Sequence, residues 1–513
     1  MKLFLSFLAG LVGAAGFEPW GLWPLTLAAF AALLWLVWDA PRLRPALARG
    51  WWFGVGHFTL GLNWIATAFT FQAEMPAWLG WIAVVLLSLY LAVYPAVAAG
   101  LAWRFGRAHP IRLVLTFAAA WIVTEWLRAT MFTGFAWNPV GVALLPTPVS
   151  RLSTVFGTYG VSGIAMLLSG ALLLLVERHW RSGGALLAGV ALPTGIAMAA
   201  QAQDPGKAGP AIRIVQPNIG QEDKWREGFF EENMERLTRL SRWGGREPRL
   251  LLWPEAAVTR PLENGLAGPQ YRRETEALRR AVGRVLGEED LLLTGGVTWR
   301  SANGFDLTSA TNSVFAMNRE GEILARYDKA HLVPYGEYLP MRPILSAIGL
   351  SRLAPGDVDF DSGPGPQTLA LPIVGEAGFQ LCYEIIFSGQ VVDPGNRPNF
   401  LFNPSNDAWF GRWGPPQHLA QARMRALEEG LPVLRSTPTG ISAVIDAEGA
   451  LLHSIPWRQA GFIDARLPAP RAPTVFAKWG NVMPFILALL LASLGPALPR
   501  PSRRPIAKDG EPR

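Results

Sequence analysis

Long apolar runs dominate the chain up to residue 200 and return once near the C-terminus. A bilayer core of about 30 Å is crossed by a helix of about 20 mostly apolar residues. By this measure the pattern predicts membrane-spanning helices at residues 3–17, 20–38, 51–71, 78–103, 111–127, 153–176, 185–200 and 482–498. The first run is short and ends in small residues, so a cleaved signal peptide is the alternative to a retained helix there.

After residue 204 the pattern changes to short β-rich runs separated by amphipathic or turn-rich stretches. Strands are predicted at residues 212–216, 250–253, 291–295, 313–317, 378–382, 400–403, 433–436 and 442–445. Helices are predicted between several of them, at residues 228–243, 271–286 and 418–430, and a loop at 352–366. This alternation is typical of a layered α/β domain.

The two patterns divide the chain into four parts. Residues 1–203 are predicted to form an N-terminal transmembrane domain of about seven helices, and residues 204–473 a water-facing α/β domain. Residues 474–499 are predicted to hold a C-terminal transmembrane helix, followed by a basic tail at 500–513. The fold class expected is therefore a polytopic α-helical membrane domain joined to an α/β domain.

Composition supports a membrane protein. Half of the residues are hydrophobic and only 17% are charged, which is unusual for a soluble enzyme of this length. The net charge of +7 does not indicate a nucleic-acid partner, because many arginines lie in short loops between apolar runs. The single cysteine excludes an intrachain disulfide and a Cys-rich metal site.

The loops between the predicted spans alternate in charge, and cationic loops are retained on the cytoplasmic side. The loops predicted to be cytoplasmic contain Arg42, Arg44, Arg49, Arg104, Arg107, Arg112, Arg178 and Arg181, and the basic tail lies on the same side. The intervening loops carry Glu18 and Glu74, and segment 201–480 shares their side. The pattern predicts a multi-pass protein of the bacterial inner membrane with its polar domain in the periplasm. The helices show no obvious pair of intramembrane charges, which disfavours a transporter.

Three candidate sites of chemistry lie at strand ends or in a turn. Glu255 follows an apolar strand, and Pro254 blocks continuation of that strand. Lys329 begins a compact group of ionisable residues that ends at Glu337, and Cys382 follows another apolar strand. These residues are far apart in sequence, so only the fold can bring them together.

Together the three residues form a usable catalytic set. A thiol with a pKa of about 8.5 is mostly protonated at neutral pH, so a nucleophilic cysteine needs a base or a nearby cation. Glu255 can be that base, and Lys329 can stabilise the negative charge that develops on an attacked carbonyl. The plainer alternatives are a core cysteine, a helix-capping Glu255 and a solvated Lys329. His331 is a less suitable base, and the other histidines are scattered, so no metal site is expected.

The motifs Trp253-Pro254-Glu255, Lys329 to Glu337 and Cys382-Tyr383-Glu384 resemble those of the nitrilase superfamily. This resemblance implies a Glu-Lys-Cys triad on an αββα sandwich. It also implies that Glu337 orients Lys329 and that the backbone N–H of Tyr383 serves the oxyanion site. For Glu337 and Glu384 a purely structural pairing is the alternative to a supporting role.

With its flanking helices the chain resembles one branch of that superfamily, the apolipoprotein N-acyltransferases. The resemblance rests further on Gln216-Pro217-Asn218 and on the stretch 403–411. It implies transfer of an acyl chain from a phospholipid, through a cysteine thioester, to a diacylated apolipoprotein, with no cofactor. Trp225 is implied to lie near the substrate, and Trp409 and Phe410 are further substrate-binding candidates, although each could simply pack in a core.

Two alternatives remain from the sequence. The same triad with water as acceptor would make a membrane-anchored amidase or nitrilase acting on small amides. The apolar, helix-poor loop 128–151 either handles lipid at the outer surface of the membrane or only joins two helices.

Overall fold

The computed structural model describes residues 1–71, 76–200, 209–224, 226, 228–347 and 358–497. Before the first strand, the described part of the chain is helical. The helices there are α1 (Lys2–Ala14), α2 (Trp23–Trp38), α3 (Leu43–Gly61), α4 (Ile65–Ala68), α5 (Leu79–Leu91), α6 (Val93–Gly106), α7 (Pro110–Thr130), α8 (Ser153–Val176) and α9 (Trp180–Ala200). Two short 3₁₀ turns, Val140–Leu144 and Pro148–Leu152, lie between α7 and α8.

The helical part has the character of a membrane domain. Four of its helical segments, 79–106, 110–130, 148–176 and 180–199, are long and apolar enough to cross a bilayer. Large apolar side chains lie on its outer surface, including Leu86, Val176 and Leu192, each of which is more than half exposed. Exposed apolar side chains of this number, on helices of this length, are typical of a surface that faces lipid.

A described helix occupies each of the eight predicted spans, but the third differs in its bounds. Helix α3 begins at Leu43, eight residues before the predicted start at 51, and ends at Gly61. The polar residues of its first turns are accommodated because Arg49 is buried and donates hydrogen bonds to the carbonyl oxygen of Leu36 and to Asp39. The charged residue Arg49 therefore lies inside the helix and does not mark where the helix begins.

A second difference concerns charges inside the helical part. The absence of an intramembrane charged pair was expected from the sequence, and this expectation is wrong. Glu125 and Arg128 lie three residues apart on α7, which places them on one face of the helix, and both are buried.

The rest of the described chain forms two β-sheets with helices on their outer faces. The strands are β1 (Ala211–Gln216), β2 (Arg249–Leu252), β3 (Glu263–Asn264), β4 (Leu291–Arg300), β5 (Ser309–Met317), β6 (Ile323–Asp328), β7 (Thr368–Leu371), β8 (Gly375–Phe379), β9 (Phe400–Pro404), β10 (Val433–Ser436), β11 (Ser442–Ile445), β12 (Leu451–Ile455) and β13 (Gly461–Arg466). The helices are α10 (Gln221–Lys224), α11 (Phe230–Ser241), α12 (Pro269–Gly283), α13 (Arg342–Ala347), α14 (Gly414–Glu429), α15 (Val475–Trp479) and α16 (Val482–Ala497).

The first sheet has the order β13-β1-β2-β4-β5-β6, with β3 paired to β4, and the second has the order β12-β11-β10-β9-β8-β7. One apolar core lies between the sheets, where Ile214 and Leu293 of the first sheet meet Phe402 and Val444 of the second. Helices α11 and α12 cover the outer face of the first sheet, and α14 covers that of the second. The result is the αββα sandwich that the nitrilase resemblance implies.

Each predicted strand overlaps an observed one, but residue 382 lies outside the strand predicted to contain it. Strand β8 ends at Phe379, and Cys382 begins the 3₁₀ turn Cys382–Ile386. Strands β3, β6, β7, β12 and β13 were not predicted. Most of them are short or lie at sheet edges with half-exposed side chains, so they lack the apolar runs of central strands.

The sandwich rests on the membrane helices through α14. Its residue Glu428 accepts hydrogen bonds from the backbone N–H and hydroxyl of Thr158 on α8 and from Ser388. Arg425, one turn away, donates to Thr158 and to the carbonyl oxygen of Ile386. Helix α14 is therefore shared between the second sheet and the helical part.

Candidate active site

Glu255 lies just past the carboxyl end of β2, as the apolar run before it predicted. The neighbouring strand β4 approaches it closely at Gly295, where a Cβ atom would lie 2.6 Å from the Cα of Glu255. Only glycine fits this contact. The Oε1 atom of Glu255 accepts a hydrogen bond of 2.7 Å from Asn312. None of the described residues donates to its Oε2 atom, which leaves that oxygen able to accept a proton.

Lys329 follows β6 and is 1% exposed. Its Nζ lies 2.9 Å from Oε2 of Glu337 and 3.7 Å from Oε1 of Glu255. Burial opposes the charge of Lys329, but Glu337 and then Glu255 outweigh it and hold the pKa of the ammonium above its ordinary value. The side chain is a fixed cation between two carboxylates.

Asn312 on β5 joins the two carboxylates. Its Nδ2 donates to Oε1 of Glu255 at 2.7 Å and to Oε1 of Glu337 at 2.9 Å. Glu337 is held from its other side by the backbone N–H of Val333, at 2.8 Å from Oε2. Asn312 was not predicted, because an asparagine just before the predicted strand 313–317 gives no sign of its distant partners.

Cys382 has a φ of +50°, a left-handed conformation that is uncommon for a residue with a side chain. Such strain persists only where the surroundings enforce it, and it often marks functional sites. Burial, and then the charge of Glu255, raise the pKa of the Cys382 thiol well above its ordinary value, whereas Lys329 lowers it. The resting side chain is therefore a neutral thiol that needs a base. Tyr383 follows in the first turn of the 3₁₀ segment, where N–H groups lack partners within the helix.

Glu384 connects the second motif to the third. Its carboxylate accepts hydrogen bonds from the hydroxyl of Tyr327 and from the backbone N–H groups of Ala330, His331 and Leu381. Burial raises the pKa of Glu384 to about 7 against the opposing effect of these backbone donors. Its contacts are with the scaffold of the site, so it holds Lys329 and Cys382 at their separation.

His331 and Tyr383 point toward the helical part. The Nε2 atom of His331 lies 2.9 Å from the carbonyl oxygen of Thr133, and the hydroxyl of Tyr383 donates to that of Gly134 at 3.3 Å. The ring of His331 also packs on Phe387, with a centroid distance of 3.9 Å. These contacts give His331 a structural position and leave Glu255 as the better placed base.

Of the predicted aromatic residues, two meet the membrane helices. Trp409 packs edge-on against Phe71 at 5.8 Å between ring centroids. Phe410 packs against Trp64 at 4.6 Å and Trp137 at 5.4 Å. Trp225 lies outside the described residues.

A buried network behind Cys382 was not predicted. Arg435 donates to both carboxylate oxygens of Asp407, at 2.8 and 2.7 Å, and His418 Nδ1 lies 3.0 Å from the same carboxylate. The Nε2 atom of His418 lies 3.0 Å from the carbonyl oxygen of Cys382. Burial, and then the charge of Arg435, lower the pKa of His418, so a neutral imidazole holds the backbone of Cys382.

Cys382, Asp407 and His418 also offer ligand atoms within 4.8 Å of one another, the spacing of a metal site. However, both ring nitrogens of His418 and both oxygens of Asp407 already have hydrogen-bonding partners. The arrangement suits a fixed hydrogen-bond network better than a metal.

Lys224 is a further cation that we did not predict. It is buried and donates to the carbonyl oxygen of Glu255 at 2.9 Å. Burial lowers its pKa to about 8, although Glu255 and Cys382 favour its charge. Lys224 and Glu255 line one pocket with apolar residues of α11, among them Phe230 and Met234. The site thus has a partly apolar wall beside its base.

Comparison with known proteins covers both parts of the chain. A family model described as the apolipoprotein N-acyltransferase N-terminal domain matches residues 9–171, and a carbon-nitrogen hydrolase model matches residues 211–474. An apolipoprotein N-acyltransferase from Rhodopseudomonas palustris is 34% identical over 516 residues, which cover 96% of this chain and 94% of the relative. Another, from Brucella suis, is 34% identical over 522 residues and covers 96% and 95%.

Among solved structures, the chain is similar to Saccharomyces cerevisiae Nit3, a member of branch 10 of the nitrilase superfamily. The TM-score is 0.37 at 16% identity, over 52% of this chain and 93% of that one. The curated relatives, in contrast, match at twice that identity along almost the whole chain, helices included. The chain therefore belongs to the apolipoprotein N-acyltransferase family.

Proposed function

We propose that the chain moves an acyl chain from a membrane phospholipid, through a thioester on Cys382, to the α-amino group of the N-terminal diacylglyceryl cysteine of apolipoproteins. The observation that carries this proposal is the buried contact of Lys329 with Glu255 and Glu337, bridged by Asn312, in electrostatic reach of the single cysteine. Membership of the family supports the substrates.

In the first half-reaction, Glu255 accepts the Sγ proton of Cys382 as the sulfur attacks an ester carbonyl of the phospholipid. The C–S bond forms, and negative charge on the carbonyl oxygen is stabilised by Lys329 and the backbone N–H of Tyr383. The C–O bond then breaks. Glu255 returns the proton to the departing oxygen, and lysophospholipid leaves.

In the second half-reaction, the neutral α-amino group attacks the thioester carbonyl and a C–N bond forms. Glu255 takes a proton from the nitrogen and delivers it to the sulfur as the C–S bond breaks. The products are the amide and the regenerated thiol, so no cofactor is consumed. Exclusion of water from the buried thioester favours the amine as acceptor.

The location of the site explains the membrane helices. Withdrawing a lipid from the bilayer costs about 0.8 kcal/mol for each CH₂ group, so both substrates must react while their chains stay in the membrane. We propose that Trp409 and Phe410, which contact aromatic residues of the helical part, bind acyl chains, and that Trp225 is a further substrate-binding residue.

We extend the proposal to the arrangement of the chain in the cell. The arginine-rich loops support an inner-membrane protein whose residues 204–473 form the periplasmic catalytic domain. Residues 1–203 and 474–499 are its transmembrane parts, and the basic tail 500–513 is cytoplasmic.

The test uses the full-length protein in phospholipid nanodiscs. Mass spectrometry of the intact protein is expected to show an acyl adduct on Cys382, which disappears when a diacylated lipopeptide is added and becomes N-acylated. The variant Cys382→Ala is expected to show neither adduct nor product. Absence of the adduct in the wild type, or N-acylation by Cys382→Ala, would overturn the proposal. Release of free fatty acid in place of N-acyl product would instead indicate a hydrolase.

A further inference from the structure

The loop at residues 131–140, here called the strap, connects α7 to the first 3₁₀ turn of the helical part. It lies between the intramembrane charges and the candidate active site. It is bonded to α7 through Arg128 and Glu125, and to α14 through the indole N–H of Trp137 and the backbone N–H of Asn138. Its outer contacts reach the sandwich beside Lys329 and Cys382.

On the inner side, two buried charged side chains hold the two limbs of the strap. The Nη1 atom of Arg128 donates to the carbonyl oxygens of Phe135 at 3.0 Å and Trp137 at 2.8 Å. The Oε1 atom of Glu125 accepts the backbone N–H of Val140 at 2.9 Å. The two bonds from Arg128 are charge-assisted bonds to backbone groups in a low-dielectric interior, where such bonds are strong.

On the outer side, the strap is bonded to residues that adjoin the proposed catalytic groups. The carbonyl oxygen of Thr133 lies 2.9 Å from Nε2 of His331, two residues after Lys329. The carbonyl oxygen of Gly134 accepts the hydroxyl of Tyr383, the residue after Cys382. One short segment therefore touches the neighbours of both the cation and the nucleophile.

The backbone of the strap is strained, because several of its residues have positive φ angles. Phe132 has a φ of +59° and Asn138 one of +49°, a conformation that residues with side chains adopt only at a cost. Gly134 has a φ of +71°, and a Cβ atom there would lie 2.3 Å from the carbonyl oxygen of Ala129. A loop held in this form by bonds at both sides has little freedom to shift.

We infer that Arg128 and Glu125 are positioning residues for acyl transfer, acting through the strap on Tyr383 and His331. This inference rests on the proposed function, since it assigns the strap to the geometry of the thioester-forming site. The N–H of Tyr383 and the ammonium of Lys329 must meet the same oxyanion, and the strap fixes the side chain that follows the nucleophile. Displacement of a reacting group by about 1 Å can cost about 100-fold in rate.

The test compares two buried arginines of the helical part. Arg128→Met removes both bonds to the strap, whereas Arg49→Met removes bonds to the Leu36 carbonyl oxygen and Asp39, which do not involve the strap. Single-turnover acylation of Cys382 is measured in nanodiscs of varied phospholipid content. The burst amplitude counts the folded sites, so the rate per site is independent of partial misfolding.

For Arg128→Met, the acylation rate per site is expected to fall by about 10- to 100-fold while the half-saturating phospholipid content changes less than about twofold. Arg128→Lys, which keeps the charge and a donor, is expected to recover part of the rate. Arg49→Met is expected to retain the wild-type rate per site. Arg128 and Tyr383 are both bonded to the strap. The acylation rate per site of Arg128→Met combined with Tyr383→Phe should therefore fall by less than the product of the two single-variant reductions.

An unchanged rate per site in Arg128→Met, an equal fall in Arg49→Met, or fully multiplicative losses in the double variant would overturn the inference. The proposed function is judged separately, by whether the wild type forms the adduct at all. A wild type without adduct removes the proposed function, whereas a wild type with adduct and an unaffected Arg128→Met removes only the role of the strap.

Discussion

Two of the buried charge clusters among the described residues, one around Lys329 in the sandwich and one on α7 among the membrane helices, are built differently. In the sandwich, Lys329 lies between Glu255 and Glu337, so charge is balanced mainly by charge. Among the helices, Glu125 and Arg128 each bond to backbone groups of the strap. Each cluster leaves one carboxylate oxygen without a donor among the described residues, Oε2 of Glu255 and Oε2 of Glu125. Only Glu255 acts electrostatically on the Cys382 thiol, whereas the second cluster holds a loop in place. The partners of a buried charge thus indicate its task better than its burial does.

Among variants of the two clusters, Lys329→Met is expected to have the largest effect on stability and on acyl transfer. This change removes the cation from between two buried carboxylates, which destabilises a protein by about 3–5 kcal/mol, and it removes the oxyanion partner. Acyl transfer should fall by about 10³-fold or more, and the melting temperature in detergent should drop.

Adding Glu337→Gln tests the cause of that instability. Removal of one of the two unbalanced charges should restore about 1–2 kcal/mol without restoring activity. If the double variant melts no higher than Lys329→Met, then neutralisation of the two carboxylates by Lys329 does not stabilise this cluster.

The second prediction compares a Glu→Gln substitution in each of the two clusters. Glu255→Gln removes the base and should slow thioester formation by about 10³-fold, since general bases contribute about 10²- to 10⁴-fold. Glu125→Gln keeps an oxygen that can accept the Val140 N–H, so its rate per site should stay within about threefold of the wild type. Burst kinetics of both variants check this, and equal losses would erase the distinction between the clusters.

The pH dependence of Cys382 alkylation sharpens the description of the sandwich cluster. Only the thiolate reacts with iodoacetamide, and the pKa of this thiol is raised well above its ordinary value. The rate should therefore rise about tenfold for each pH unit from 7 to 9, without a plateau. In Lys329→Met the loss of the nearby cation should lower the rate at each pH. A plateau below pH 9 in the folded wild type would contradict the raised pKa, and the unfolded protein serves as the reference.

The smallest effect is expected at Asn138 in the strap. Neither polar atom of its side chain has a hydrogen-bonding partner among the described residues, and its φ is positive. Asn138→Gly removes both the unpartnered polar side chain and the cost of a positive φ, so it should stabilise the protein by up to about 0.5 kcal/mol. Asn138→Ala keeps the strain and should melt lower than Asn138→Gly. The reverse order of melting temperatures would show that the positive φ carries no cost.

The sequence predicted the parts of the site that follow strongly apolar strands. The run before Glu255 is a fully buried strand, and the strand before Cys382 ends in three buried residues, which leaves a clear apolar signal in both. That Glu255, Lys329 and Cys382 act together was expected only from a family resemblance, because nothing local relates residues so far apart.

The polar residues that hold the site could not be found in this way. Asn312, Asp407 and Arg435 are buried only because distant elements supply their partners, and each resembles a surface residue when its segment is considered alone. Glu125 and Arg128 do carry a signal in the sequence, since they are two charges three residues apart at the end of an apolar run.

The sharing of α14 between the sandwich and α8 bears on how this protein can be divided. Cutting the chain before the first strand would expose Arg425 and Glu428, which now contact Thr158, together with an apolar helix face. A truncated fragment containing only the sandwich would expose this face of α14 to water and should aggregate when produced alone. The soluble half of the molecule, in this sense, is soluble only while attached to the other half.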